Sequence, residues 1–281
     1  KLATGEWIAA YALSEASSGS DAMNIRAQAR LSADGSQYIL NGEKMWISNA
    51  GFADLFIVFA KIVADDGQPG QFSAFLIERN TPGLTIGAEE HKLGIRGSST
   101  CPLVLSDCTI PAANLLGEAG KGHHIAFNIL NVGRYKLGAA TLGGARHTLR
   151  NAIRYGKQRL AFGKPITSFG LMQQKIADMA AGIFAGEALV YRVVGAIDAA
   201  LAALPPDAPS SEVQKRIEDY AVECSIVKVW CSEMLDRAVD ANLQIYGGYG
   251  YVEEYPAERA YRDARINRIF EGTNEINRLI I

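Results

Sequence analysis

Residues 28–48 read QARLSADGSQYILNGEKMWIS, and this stretch contains two β-type segments with a turn signal between them. Asp34-Gly35 is a dipeptide typical of tight hairpin turns, and the flanking segments contain the β-branched and aromatic side chains that strands favour. Asn41-Gly42 is a second dipeptide of this kind and predicts a second turn. The stretch therefore predicts β-hairpin structure in the first part of the chain.

The same kind of sequence continues over the first 115 residues. Short runs rich in β-branched and aromatic residues alternate with turn residues; they are WIAAYAL (7–13), DLFIVFAKI (54–62), FSAFLIE (72–78), LTIGAEE (84–90) and PLVLSDCTI (102–110). Strands of this length separated by turns are typical of an antiparallel barrel or sandwich. We therefore predict a β domain over residues 1–115.

From residue 116 onward the apolar period becomes helical. Apolar or small side chains recur at alternating steps of four and three, which places them on one face of a helix. Two helices are predicted in this way. The face of the first helix comprises Met172, Ile176, Met179, Ile183, Gly186, Val190, Val193, Ile197, Ala200 and Leu204. The face of the second helix comprises Val213, Ile217, Tyr220, Cys224, Val227, Cys231, Met234, Ala238, Ala241 and Ile245. The proline-rich segment LPPDAPSS (204–211) separates them. The pattern predicts an antiparallel pair in an up-down helical bundle over residues 116–281, and hence a multidomain α+β fold.

Charge and cysteine content argue against several classes of protein. The formal net charge is −2, which gives no basic field for nucleic acid. The four cysteines form no CxxC pair and have no histidine at metal-ligand spacing, so no metal site is predicted. No uninterrupted apolar run reaches the roughly 20 residues that cross a bilayer, and the first residues lack the order of a signal peptide. We predict a protein of the bacterial cytoplasm or the mitochondrial matrix, and membrane association is not indicated.

Two local features remain to be explained. Small residues at 138–140 and 143–144 leave little side chain on a predicted helix, which favours close helix packing but also permits a flat ligand. Residues 268–278 read RIFEGTNEINR and place one carboxylate, Glu271, on a Gly-Thr turn after an apolar Ile-Phe pair. An acid favoured by the dipole at a helix N-terminus is the structural explanation of Glu271.

Five ordered motifs make the chain resemble one enzyme family. They are YALSEASSGSD (11–21), GEKMWISNAG (42–51), RLAFGKPITSFGLMQQKIADM (159–179), QIYGGYGYVEEYPAERAYRDARI (244–266) and RIFEGTNEINR (268–278). Together they resemble the acyl-CoA dehydrogenase flavoenzymes over essentially the whole chain, and LNVGRYKLGAA (130–140) looks most like the very-long-chain members. Members of that family begin with a helical domain before the β domain, so the resemblance implies that such a domain is missing from this chain.

The resemblance implies a catalytic role for Glu271. A desolvated carboxylate placed over the substrate removes the proton next to the thioester carbonyl, while a hydride leaves the next carbon for FAD and a trans-2-enoyl-CoA results. Ile269 and Phe270 are expected to provide the dry surroundings that raise the basicity of this carboxylate. Some relatives carry the base one residue before the arginine of NVGRYKL, where this chain has Gly133, so no second carboxylate competes.

The resemblance also implies the ligand contacts. The residues expected to contact the flavin are Tyr11, Leu13, Ser14, Gly19, Ser20, Trp46, Ile47, Ser48, Thr273 and Glu275. Those expected at the adenosine and pyrophosphate half of FAD, often from a neighbouring subunit, are Arg159, Phe162, Gln244, Gly247 and Gly248. Those expected on the acyl-CoA side are Ser20, Asn131, Arg134 and Gly272. The shared cofactor site implies a homo-oligomer, a dimer or tetramer, and the expected electron acceptor is electron-transferring flavoprotein.

Two other functions stay open on the sequence. An acyl-CoA oxidase would share FAD and the glutamate base but pass the electrons to oxygen. A non-catalytic helical bundle would only bind partners, and an intact Glu271 together with all the flavin motifs argues against that alternative.

Overall fold

The computed structural model describes residues 1–63 and 70–281, and the chain divides into two compact units. The first unit is Lys1–Phe127 and the second is Asn128–Ile281. The apolar pattern of the sequence changes near residue 115, but the first unit also includes the beginning of a long helix. Ile125 and Ala126 of that helix pack into the core of the first unit.

The first unit contains one mixed sheet of eight strands. The strands are β1 (Ala9–Ala12), β2 (Gln28–Leu31), β3 (Gln37–Ser48), β4 (Leu55–Ile62), β5 (Gln71–Glu78), β6 (Leu84–Ile86), β7 (Thr100–Pro111) and β8 (Leu115–Leu116). Their order is β6-β7-β3-β2-β4-β5-β8, with β1 paired to β4. The predicted antiparallel pattern holds for most pairs, but β4 runs parallel to both β1 and β2. The reason is that β3 pairs with one edge of β2 in an antiparallel hairpin, and β4 then pairs with the opposite edge of β2 in the same direction as β2.

The two dipeptides of the opening stretch behave differently. Asp34-Gly35 lies in the hairpin that joins β2 to β3, as predicted. Asn41-Gly42 makes no turn and lies inside β3, so that prediction was wrong. Gly42 has a φ of +144°, and a Cβ added to it would lie 2.8 Å from the Cα of Ala27. The glycine therefore permits a register shift against β7 and a close backbone approach within the sheet.

A continuous apolar core supports this sheet. Among its largest fully buried side chains are Leu40, Phe56, Phe75, Ile77, Leu103 and Ile110. Burying a side chain of this size stabilises a fold by about 1.5–3 kcal/mol. The sheet is thus a firm support for the loop at residues 13–20 and for the end of β3.

The second unit is helical. Its helices are α1 (Gly122–Gln158, which begins in the first unit), α2 (Gly170–Ala202), α3 (Ser210–Glu218), α4 (Ala221–Tyr246), α5 (Pro256–Ala264) and α6 (Asn274–Ile280). Two short strands, β9 (Leu160–Ala161) and β10 (Lys164–Pro165), pair between α1 and α2. Single 3₁₀ turns cover Ile166–Ser168, Gly247–Tyr251 and Arg265–Arg268.

The two predicted helix faces meet in the core of this unit. The buried residues of α2 all belong to its predicted face; they are Met179, Ile183, Gly186, Val190, Val193 and Ile197. On α1, a Cβ added to Gly138 would lie 2.3 Å from Cγ1 of Val227 in α4. Close helix packing therefore accounts for this glycine. By length and composition alone α2 is also apolar enough to cross a membrane, a test that core helices pass as well.

The second predicted helix is interrupted. It ends at Glu218 in α3 and resumes at Ala221 in α4, with Tyr220 at φ −104° and ψ 20° between them. Helix α4 also buries residues outside the predicted face, among them Lys228 and Ser232. It does so because it contacts α2, α5 and α6 on different sides. A single-face pattern cannot describe a helix that is surrounded.

Candidate active site

Glu271 lies on a turn between the 3₁₀ segment Arg265–Arg268 and α6. Its φ is 58° and that of Gly272 is 77°, so two consecutive residues have left-handed backbone. For a residue other than glycine this conformation costs of order 1–3 kcal/mol and persists only when the surroundings impose it. Thr273 then caps α6, because its Oγ1 accepts the Ile276 N–H at 3.2 Å.

Side chains from three helices hold the carbonyl groups of this turn. Arg134 of α1 donates from Nε to the Glu271 carbonyl at 3.3 Å. Lys228 of α4 donates from Nζ to the Gly272 carbonyl at 2.8 Å. Asn277 of α6 donates from Nδ2 to the same Gly272 carbonyl at 2.8 Å. Backbone acceptors that lack regular secondary structure are thus satisfied by side chains, and the strained turn is fixed in place.

The Glu271 carboxyl group faces α1. Its Oε2 atom is buried and has no hydrogen-bond partner among the residues that the structure describes. A Cβ added to Gly133 would lie 2.6 Å from this oxygen, so the glycine makes room for the carboxylate. Burial raises the pKa of Glu271, and the positive charges of Arg134 and Lys228 oppose that rise. A desolvated carboxylate with an unpaired oxygen has the properties of a general base.

Ile269 and Phe270, which are expected to shield the Glu271 carboxylate, are themselves partly exposed. Their exposed fractions are 47% and 39%. The helices contribute to the burial of the Glu271 carboxyl, with Gly133 against its oxygen and the buried residues Arg134 and Lys228 beside it.

Arg134 is the central cation of this cluster. It is buried, and its Nη1 donates to Asn131 Oδ1 at 3.1 Å and to Ser225 Oγ at 3.5 Å. Asn131 is itself buried and therefore supports the guanidinium group. The structure thus brings three of the residues predicted on the acyl-CoA side, Asn131, Arg134 and Gly272, together with Glu271.

Sequence reasoning missed Lys228, Asn274 and Asn277. Lys228 is fully buried, and its Nζ donates to Asn274 Oδ1 at 2.6 Å in addition to the Gly272 carbonyl. Burial lowers the pKa of Lys228 to about 8. Lys228 lies outside the predicted apolar face of α4, so the local sequence pattern does not single it out.

In the first unit, the predicted flavin residues lie on two adjacent segments, 11–20 and 44–48. The Met45 N–H donates to the Ser14 carbonyl at 2.9 Å. The buried Lys44 donates from Nζ to the Leu13 carbonyl at 3.1 Å and to Glu15 Oε1 at 2.7 Å. Glu15 also accepts two backbone N–H groups, from residues 26 and 27, at 2.6 and 3.1 Å. The hydroxyl-rich segment is thereby tied to β3.

The surface formed by these segments suits a planar ring. Trp46 is 61% exposed and has a φ of 60°, at a register shift that turns its indole out of the sheet. Gly19, Ser20 and Ser48 are exposed, whereas the side chains of Ile47 and Leu13 are buried, so any ligand contact of those two uses the backbone. A flat indole near exposed hydroxyl groups fits the apolar face and polar edge of a flavin.

Tyr11 is placed differently from its neighbours. Its ring packs edge-on against Phe59 at 5.1 Å, and its hydroxyl donates to the Ala126 carbonyl at 3.5 Å. The tyrosine is thus anchored in the core of the first unit, from which its half-buried ring supports the segment at residues 11–20.

A second group of predicted cofactor residues comes together in the helical unit. The Arg159 guanidinium carbon lies 5.4 Å from the centre of the Tyr249 ring, next to Gly247 and Gly248. A Cβ on either glycine would meet nothing within 4 Å, so the backbone there is open to approach. Gln244 is exposed, and Phe162 is 94% exposed. An arginine, an exposed ring and open backbone fit a nucleotide diphosphate.

The remaining predicted residues lie beside the Glu271 turn. The Thr273 hydroxyl is used as the helix cap, and Glu275 is exposed in the first turn of α6. In the part of the chain that the structure describes, no group of three His, Cys, Asp or Glu side chains is arranged to hold a metal ion.

Comparison with known proteins covers both units. The family described as "Acyl-CoA dehydrogenase, middle domain" matches residues 10–108, and "Acyl-CoA dehydrogenase, C-terminal domain" matches residues 120–281. The crystal structure of a Bacillus anthracis acyl-CoA dehydrogenase complexed with FAD is similar, with 53% identity and a TM-score of 0.95 over 99% of this chain and 47% of that chain.

Two human mitochondrial enzymes are also similar. The very long-chain specific acyl-CoA dehydrogenase is 40% identical over 285 residues, covering 100% of this chain and 41% of the relative. The short-chain specific acyl-CoA dehydrogenase is 42% identical over 278 residues, covering 99% of this chain and 63% of the relative. The chain spans about half the length of the curated relatives it matches.

Proposed function

Because the chain belongs to the acyl-CoA dehydrogenase family, we propose that it carries out the FAD-dependent α,β-dehydrogenation of a fatty acyl-CoA thioester to the trans-2-enoyl-CoA. The observation that carries the proposal is the Glu271 carboxylate. It is desolvated, has an unpaired buried oxygen, and stands on a strained turn that three helices hold. Strain and unpaired polar atoms cost stability, so their combination at one residue indicates function rather than packing.

Glu271 acts as the general base. Its carboxylate takes the proton from the carbon next to the thioester carbonyl and becomes the neutral acid, the form that burial favours. Arg134 and Lys228 keep the carboxylate ionised before the step because their positive charges oppose the effect of burial. By analogy with the family, the Glu271 backbone N–H donates to the thioester oxygen and stabilises the negative charge that develops there.

FAD, when bound, supplies the acceptor for the hydride that leaves the β-carbon. In the first unit, the exposed Trp46 indole would cover the flavin and exclude water, and the backbone and hydroxyl groups of residues 11–20 would bind its polar edge. In the second unit, Arg159 would bind the pyrophosphate of the FAD held by a second copy of the chain, and Gly247 and Gly248 would admit it. The other proposed contacts are those of Ile47, Ser48, Phe162, Gln244, Thr273 and Glu275.

The same proposal includes the oligomeric state, the electron acceptor, the compartment and the length of the substrate chain. The Arg159 and Gly247-Gly248 group serves the FAD of a second copy, so the active protein is a homo-oligomer. Electron-transferring flavoprotein reoxidises the cofactor in the bacterial cytoplasm or the mitochondrial matrix. The substrate chain is long, a choice that rests on the sequence LNVGRYKLGAA, since the very long-chain and short-chain relatives are similar to this chain to nearly the same degree.

Anaerobic bleaching of the yellow protein tests the proposal. Palmitoyl-CoA should reduce the bound FAD under argon, and butyryl-CoA should do so more slowly. A flavin that no acyl-CoA reduces would overturn the dehydrogenation and leave a binding module. Faster reduction by butyryl-CoA would overturn only the chain length. Reoxidation by air as fast as by electron-transferring flavoprotein would identify an oxidase instead.

A further inference from the structure

Lys228 is an unusual residue for the middle of a helical core. It lies on α4 and is fully buried, and the two acceptors given for its Nζ, the Gly272 carbonyl and Asn274 Oδ1, are neutral. Burying an ammonium group costs several kcal/mol, and neutral acceptors offset only part of that cost. An apolar side chain would pack at this position with less penalty, so the lysine must contribute something other than stability.

The two acceptors show what the lysine holds. Gly272 and Asn274 flank Thr273 directly after Glu271, in the turn with left-handed backbone. Asn274 is fixed in turn, because its Nδ2 donates to Ser232 Oγ at 3.1 Å and to Glu233 Oε1 at 3.1 Å. Lys228 therefore connects the rigid α4 helix to the start of α6 on both sides of the Thr273 cap.

Charge is the second contribution of Lys228. The charged groups that face Glu271 are Arg134 from α1 and Lys228 from α4, and both favour the ionised carboxylate. Lys228 itself is faced by Arg134, Glu271, Glu275 of α6 and Glu233 of α4. The lysine thus lies between the base and two more exposed acids, where removing its charge changes the field at Glu271 directly.

We propose that Lys228 is a positioning residue for Glu271, which fixes the turn through Gly272 and Asn274 and favours the ionised carboxylate through its positive charge. The inference rests on the proposed function of Glu271 as the base. It assigns two contributions to the Lys228 ammonium group: its N–H donors set the geometry of the turn, and its positive charge favours the ionised carboxylate.

Two substitutions separate the contributions. Lys228→Gln keeps hydrogen-bond donors but loses the charge, and Lys228→Met loses both. The measurement is the rate of anaerobic FAD reduction by saturating palmitoyl-CoA from pH 5 to about 9, a range that spans the perturbed carboxyl values of buried sites. In both variants the acid limb, the part of the pH–rate profile where the rate falls as Glu271 is protonated, should shift to higher pH by about one unit. This is the usual effect of removing a close opposite charge. Only Lys228→Met should also lower the plateau, by about tenfold or more, since misplacement of the base slows the step.

Lys215→Met is the matched control, because Lys215 is an exposed lysine on α3 and should keep the parent profile. Lys228 variants that bind FAD and keep both the parent acid limb and the parent plateau would overturn the proposal. If the Lys228 variants do not fold, Asn274→Ala tests the positioning role, because it removes one acceptor of Lys228 but leaves the charge. The plateau rate should fall and the acid limb should stay unchanged. A plateau rate equal to that of the parent overturns the positioning role. An unsubstituted protein whose FAD is not reduced would refute the proposed function itself and this inference with it.

Discussion

Gly133→Ala is the sharpest test of where the Glu271 carboxylate lies. The added Cβ would be 2.6 Å from Glu271 Oε2 and 2.9 Å from its Cδ. Both distances are far below an ordinary contact of 3.4 Å, so the carboxylate has to move by about 0.8 Å or change its rotamer. The three atoms nearest the new methyl group all belong to the end of the flexible Glu271 side chain. The fold should therefore survive the change while the base is displaced.

The expected effects of Gly133→Ala on stability and on the rate of FAD reduction have opposite signs. Alanine in place of glycine in a helix interior stabilises a protein by roughly 0.5–1 kcal/mol, so the variant should be at least as stable as the parent. A misplacement of about 1 Å at a reacting group costs about 10²-fold in rate, so we expect FAD reduction to slow by about 10- to 100-fold. A loss of rate without a loss of stability separates displacement of the base from damage to the helix.

Anaerobic stopped-flow reduction by palmitoyl-CoA and urea unfolding measure the two quantities. Gly143→Ala is the matched control on the same helix, because a Cβ there would meet nothing within 4 Å. It should share the gain in stability and keep the parent rate. In the Glu271→Gln background, Gly133→Ala should cost little further rate. A Gly133→Ala variant that reduces FAD at the parent rate would refute both the placement of the carboxylate and its role as the base.

Three further predictions concern the same two sites. Glu271→Gln should slow FAD reduction by roughly 10²-fold or more in stopped flow. It should also unfold at higher urea than the parent at pH 7, but not at pH 4. The raised pKa of Glu271 makes the folded parent bind more protons than the unfolded chain, so the stability of the parent falls as pH rises above about 4.5. Gly272→Ala should destabilise the fold by about 1–2 kcal/mol in urea, because φ is 77° and its Cβ would lie 3.1 Å from Asn277 Nδ2. Lys44→Met should cost about 3 kcal/mol or more, because it leaves the Glu15 carboxylate buried without its cation; thermal melts that match the parent would contradict this.

Features that depend on local chemistry were predictable from the sequence. The Asp34-Gly35 hairpin needs only two adjacent residues of the right type, and the α2 face needs only a regular apolar period. Glu271 stood out because an acid followed by Gly-Thr is unusual after an apolar pair. In each case the signal and the structure lie within the same short stretch of chain.

Features that depend on residues distant in the sequence were not predictable from the sequence. Asn41-Gly42 has the composition of a turn, but its glycine is needed where β3 approaches Ala27, a contact that no local pattern contains. Lys228 would be an exposed lysine on most helices, and it is buried here because α4 has neighbours on several sides. Ile269 and Phe270 look like core residues by composition, yet both are partly exposed.

Each unit uses a buried lysine to hold a segment that carries predicted ligand or catalytic residues. In each unit, a buried lysine on a regular element donates to a backbone carbonyl beside predicted site residues: Lys44 of β3 to Leu13, and Lys228 of α4 to Gly272. A lysine suits this task because its apolar stem packs in the core while its ammonium group offers three N–H donors. The pairs differ in their second partner, which is the carboxylate of Glu15 for Lys44 but the neutral amide of Asn274 for Lys228. Lys44 is therefore paired with a carboxylate of its own, whereas Lys228 has neutral hydrogen-bond acceptors and acts electrostatically on Glu271, as its proposed role requires.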